Sequence, residues 1–126
     1  MGEIINAKIK STSLEIEDHG IYTFWITVEF YGGGVSIGGY CIGKCTTEGI
    51  RAWTGGSEAI MHILDTVGVS KWEELPGQYI RIEKGLWGSG TTKIGNIIKD
   101  KWFDLDKFFK KKQKEAETNA GTTRTD

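Results

Sequence analysis

The sequence predicts an α+β domain: a five-stranded, strongly curved antiparallel sheet, or an OB-like barrel, in the order β-β-β-α-β-β, with a C-terminal helix. Three observations lead there. Apolar residues alternate with polar ones over residues 22–30, the pattern of a half-buried antiparallel strand. Ile60, Ile63, Leu64 and Val67 recur at helical spacing between strand-like segments. Eighteen glycines accompany one proline, and nine of them fall between positions 32 and 56, interleaved with Val35, Ile37, Tyr40 and Ile42. Glycine inside a strand pattern marks a bulge, a sharp bend or a close approach, and small curved sheets need such bends to turn their corners. A length of 126 residues suits one domain with one core.

The elements follow in order. Residues 3–17 read as a long first strand, with Ile5, Ala7 and Ile9 on one parity and Leu14 and Ile16 on the other. The phase change across Ser11-Thr12-Ser13 is what a bulge or bend produces. Asp18-His19-Gly20 is turn chemistry, and His19 reads as a solvated turn residue. In the second strand Tyr22, Phe24, Ile26, Val28 and Phe30 form the core face. Gly32-Gly33-Gly34 turns the chain into a third strand over residues 35–42. Residues 43–56 are expected to be a loop rich in Gly and Thr that carries Arg51 and Trp53. Ser57 is the expected N-cap of the first helix and Gly68 its stop. Ser70-Lys71-Trp72-Glu73 carries a capping-box pattern for a one-turn helix ended by Pro76. A fourth strand over 77–83 and a fifth over 91–99 flank a glycine-rich hairpin loop with Trp87 at its tip. Asp104 caps a last helix whose apolar residues Leu105, Phe108 and Phe109 span barely more than one turn. Residues 1–109 are thus the expected single globular domain, and 110–126 a polar, basic tail that is partly disordered.

Charge narrows the function classes. Sixteen Lys and Arg nearly cancel seventeen Asp and Glu, a net charge of −1, so the basic balance of a typical nucleic-acid binder is missing. No apolar run approaches the ~20 residues of a bilayer span. Residues 1–6 carry neither the basic region nor the apolar stretch of a signal peptide. A soluble, cytoplasmic protein with no membrane partner is expected. Cys41 and Cys45 sit four positions apart, and the further ligands a zinc site needs would have to come from His19 and His62, far away in sequence. Two small, partly buried thiols are expected, with no zinc and no disulfide.

Catalytic chemistry is hard to place. His19 has Asp18 beside it but no neighbouring nucleophile, His62 falls on the flank of its helix, and the carboxylate pairs Glu15/Glu17 and Glu73/Glu74 lack a metal-ligand pattern. Gly32-Gly33-Gly34 leads into a strand, so it presents no helix N-terminus to a phosphate. No enzyme and no cofactor is expected. Aromatic residues are more informative: five Trp and four Tyr are present, and several lie off the predicted core face, Trp25 and Tyr31 among them. Binding is expected at the aromatic and basic residues of the two glycine-rich loops, namely Tyr40, Arg51, Trp53 and Trp87, with Lys93 in support. Between residues 99 and 114 seven Lys face three Asp, which reads as a solvated helix end or as a contact for an acidic surface or nucleic acid.

Residues 20–42, the run Ile63-Leu64-Asp65-Thr66-Val67-Gly68-Val69, the run Trp72 to Arg81 and the run Ile94 to Asp104 together resemble a family of small accessory proteins encoded by bacteriophages and prophages. The resemblance covers roughly residues 3–109 and implies a setting in an infected host cell. What it implies about function is a non-enzymatic, phage-encoded binding protein that inhibits a host antiviral defence. It would dock on a defence protein such as a CRISPR effector, or sequester a nucleotide-derived signal. The strand order and the off-core tryptophans support an alternative, an OB-like protein that binds single-stranded nucleic acid.

Overall fold

Strict alternation makes residues 21–30 the strand around which the rest assembles. The structure, a computed structural model, describes residues 3–85 and 91–124, apart from the side chains of Thr54 and residues 116–124. Strand β1 (Glu3–Glu17) pairs antiparallel with β2 (Ile21–Phe30). In β2 Phe24, Ile26 and Val28 are buried, with Tyr22 and Phe30 packed at the margins of the same core. The register between β1 and β2 slips by one residue between Ile9 and Ser11, leaving Lys10 as the extra residue of a bulge. The bulge restores parity: Leu14 and Ile16 lie opposite Phe24 and Tyr22, on the face that Ile9 also uses. This is the phase change visible in the sequence. Beyond the bulge Leu14 and Ile16 remain exposed, Ile16 to 57%.

The remaining strands are β3 (Gly33–Gly38), β4 (Gly43–Thr46), β5 (Gly49–Ala52), β6 (Tyr79–Lys84), β7 (Lys93–Asn96) and β8 (Trp102–Asp104). The sheet runs β5-β4-β2-β1-β6-β7-β8, with β3 also paired to β2, and every pairing is antiparallel. Among the described residues the sheet therefore has eight strands, not the five expected. It is curled, but its end strands β5 and β8 do not pair, so it is an open half-barrel and not a closed five-stranded one. The expected loop at 43–56 contains the β4–β5 hairpin. Seven of the eight residues in its strands are exposed, so no apolar alternation marks them in the sequence. Its two-residue turn, Thr47-Glu48, also lacks the usual Asn-Gly or Asp-Gly. The expected fifth strand ends at Asn96, where the chain turns back into the three-residue β8.

Helix α1 (Thr54–Val67) covers the core with Ala59, Ile63 and Val67 and packs against β7 and β8. It begins three residues before Ser57, with Trp53 at the N-cap position. Two glycines allow this close entry: a Cβ on Gly55 would come within 2.5 Å of the Trp53 ring, and one on Gly56 within 2.8 Å of Ile42 Cβ. Gly68 stops the helix in the left-handed region (φ 95°), its N–H donating to Leu64 O at 2.8 Å. The Asn96 amide donates to the carbonyls of Thr66 and Val67 at 3.0 and 3.3 Å, tying the end of α1 to β7. In the short turn Trp72–Glu74 the cap is made not by Glu73 but by Glu74, whose Oε1 accepts from the N–H groups of Ser70 and Lys71.

Helix α2 (Leu105–Arg124) starts as the sequence predicts, with Asp104 Oδ1 accepting the N–H of Lys107 at 3.1 Å. It continues far beyond one turn. Lys110 pairs with Asp106 at 2.9 Å, and Lys112 reaches Glu58 of α1 at 3.0 Å, so the basic segment after Phe109 is helical and tethered. Leu105 and Phe109 are buried and Phe108 packs beside them. Phe24 sits where these layers meet, 6.0 Å from the Trp72 ring and 6.4 Å from Phe109. Replacing Phe24 with Ala should cost about 3–5 kcal/mol, a large share of a small domain's stability. Urea unfolding followed by circular dichroism checks this; an unshifted midpoint would contradict the placement of Phe24 at the core's centre.

Candidate functional site

Strand β2 has more edge than either of its later partners uses. Near its start Ile21 and Tyr22 pair with Lys44 and Gly43 of β4, and from Trp25 to Phe30 it pairs with β3. Residues 39–42 must therefore pass Thr23 and Phe24 with two residues to spare. They leave the ladder at Gly39, whose N–H donates to Phe24 O, and rejoin it at Ile42, whose N–H donates to Tyr22 O, both at 2.8 Å. Gly38 and Gly39 make the departure with φ of 130° and 82°, backbone that only glycine adopts readily. The buried Thr23 hydroxyl donates to Tyr40 O and pins the ejected segment.

Pinning by Thr23 sets the position of Tyr40. Its ring stacks on Phe109 of α2, with centroids 4.2 Å apart and planes 7° from parallel. Trp53, held at the start of α1, lies 5.3 Å from the same Phe109 ring. The three rings form one aromatic wall. Facing it is the β4–β5 hairpin, and between them lies a cleft of about 740 Å³, also lined by Lys44, Arg51, Cys41, Glu48 and Gln113. Burial, together with the negative charges of Asp106 and Asp104, pushes the Tyr40 phenol up to about 12. At neutral pH its hydroxyl keeps its proton.

The structure brings Tyr40, Arg51 and Trp53 together on this cleft. Lys93 does not join them. It lies on β7, separated from β4 by β2, β1 and β6, with its Nζ 5.2 Å from the Trp102 ring that also stacks under Arg81 at 4.8 Å. Trp87 lies outside the described residues. Trp25 donates its indole N–H to Glu17 at 3.1 Å, and Tyr31 is fully exposed; neither lines the cleft. Cys41 and Cys45 are free and exposed rather than partly buried, and Cys41, whose thiol donates to Gly43 O at 3.3 Å, faces the cleft. The sequence reading missed Phe109, Lys44, Glu48 and Gln113. Phe109 reads as core from its helical spacing, which is half of its role. Lys44 would have been found only by recognising the hairpin that sets it opposite Arg51.

Among the described residues no group of three or more His, Cys, Asp or Glu side chains is placed to hold a metal, and no helix is long and apolar enough to cross a membrane. No protein-family model matches the chain, and no curated protein or solved structure matches it significantly.

The Tyr40 shift has a consequence for stability. A phenol whose pKa is higher in the folded state stabilises fully below its ordinary value near 10, and that contribution is lost as pH rises toward about 12. Between those limits the wild type should lose stability more steeply than Tyr40→Phe. Thermal melts of both proteins over that interval measure the difference; parallel curves would show that the phenol is not shielded.

Proposed function

We propose that the protein is a non-enzymatic binding protein that acts by capture, taking a flat, ring-bearing group into the cleft against the Tyr40–Phe109–Trp53 wall. One observation carries this reading. One glycine-rich stretch of chain and a helix more than fifty residues further on converge to place three rings and two cations around a single cleft. Its volume of about 740 Å³ falls within the range of small-ligand sites. Stacking of one base or similar ring on such a wall contributes about 1–3 kcal/mol. The resemblance to phage-encoded accessory proteins adds a setting: capture of this kind inhibits a host defence by sequestering a nucleotide-derived signal, or by seating an aromatic side chain of a defence protein. The setting rests on that resemblance; the capture rests on the geometry.

The reading as a single-strand nucleic-acid binder draws on the cation–ring pairs of the sheet, Lys8 over Tyr79 at 5.7 Å and Arg81 with Lys93 over Trp102. There, however, Arg81 is held by two hydrogen bonds to the carbonyls of Asn96 and Lys99, both at 2.7 Å, and Lys8 lies opposite Glu29. The cleft is favoured because it sets two cations beside three rings, and among the described residues neither cation forms an ion pair. Calorimetric titration with neutral ring compounds, led by adenosine and indole, tests the capture. Wild type and Lys93→Ala should bind alike, while Tyr40→Leu should weaken binding roughly tenfold or more, the loss of one stacked ring. Equal binding by Tyr40→Leu and wild type would place the site elsewhere.

A further inference from the structure

We infer that the cleft contains an anion subsite made by Lys44 and Arg51, so that its ligand is a phosphorylated ring compound of the free-nucleotide class. The inference deepens the capture reading and rests on it. Lys44 and Arg51 are direct cross-strand partners in the β4–β5 hairpin. Two residues along, Trp53 N–H donates to Ile42 O at 3.1 Å, so by antiparallel alternation the Lys44–Arg51 pair is hydrogen-bonded too, with Cα atoms about 5.5 Å apart. Their side chains leave the same face, and both line the cleft.

Like charges placed directly opposite one another destabilise a hairpin. Three lysines on other elements do have carboxylate partners: Lys101 pairs with Asp65, Lys110 with Asp106 and Lys112 with Glu58. Among the described residues neither Lys44 nor Arg51 forms an ion pair. Among the described residues Glu48, at the hairpin turn, is the one carboxylate lining the cleft, so the described lining keeps a net positive charge. A doubly charged phosphate relieves this repulsion, with the Arg51 fork binding two oxygens and the Lys44 ammonium a third.

The electrostatics also orient the ligand. Asp104 and Asp106 act on Tyr40 at the aromatic end, where a phosphate would be repelled. Asp106 is already paired with Lys110, and Asp104 accepts from Thr92 and from the Lys107 N–H. The ring therefore lies toward Tyr40 and the phosphate toward the hairpin.

The test titrates the full chain calorimetrically with the four common nucleosides, their monophosphates, inorganic phosphate and a short single-stranded oligonucleotide. At least one monophosphate should bind on the order of tenfold tighter than its nucleoside, as charge-assisted hydrogen bonds require. That advantage should shrink at high salt. Lys44→Met and Arg51→Met should each reduce it whereas Lys93→Ala should not, and Lys44→Gln should melt no lower than wild type without ligand, because the repulsion is gone. If nucleosides and monophosphates bind equally, the anion subsite is overturned and ring capture stands. If neither binds, both fall. Phosphate binding as tightly as any nucleotide, or the oligonucleotide binding tighter than all, overturns the free-nucleotide assignment.

Discussion

The shared edge of β2 is the constraint on which the rest of the molecule depends. One side of the strand is occupied by β1, and the other is divided between β4 and β3. Since both later strands come from one continuous stretch of chain, the residues between them have to leave the sheet. A polar group removed from a ladder needs a new partner if it is buried. Gly39 and Ile42 keep backbone bonds to β2, and the Tyr40 carbonyl takes the buried Thr23 hydroxyl. The detour thus costs few hydrogen bonds, and it puts an aromatic ring where a flat strand could not.

What keeps that ring in place is helix packing more than charge. The ion pairs of α2 are solvent-exposed, and exposed pairs contribute between nothing and about 1 kcal/mol each. Leu105, Phe108 and Phe109 hold the helix by burial, and Phe109 serves the core and the cleft at once through Phe24 on one side and Tyr40 on the other. Site and core are coupled through this one ring. Truncating it would change stability and binding together, whereas Lys44 and Arg51 stand on exposed strands and affect the cleft without reaching the core.

The glycines divide along the same line. Gly38 and Gly39 permit the ejection by their positive φ, and Gly55 and Gly56 permit close packing of α1 against Trp53 and Ile42. Both groups stand in the glycine-rich stretch that the composition singles out, and both shape the cleft. Gly95 belongs to the opposite side of the sheet, where the Trp102 ring lies flat over it and a Cβ would come within 2.5 Å.

Local pattern was sufficient wherever one face of an element is buried. The period-two alternation of β2, the helical spacing of Ile63 and Val67, the stop at Gly68 and the cap at Asp104 all follow from residues close in sequence. The β1 bulge is legible because apolar residues keep one parity before Lys10 and the other after it, although only Ala7 and Ile9 of that face are buried. The aromatic–basic character of residues 40–53 is likewise written in the sequence. Tertiary structure alone decided the β4–β5 hairpin, the open ends of the sheet and the length of α2, because exposed strands and a polar helix face leave no apolar period to read. It alone placed Phe109 behind Tyr40, set Lys44 against Arg51 and carried Lys93 to the far side of the sheet. Those are contacts between segments that sequence spacing does not relate, and only the path of β2's divided edge brings the first two together.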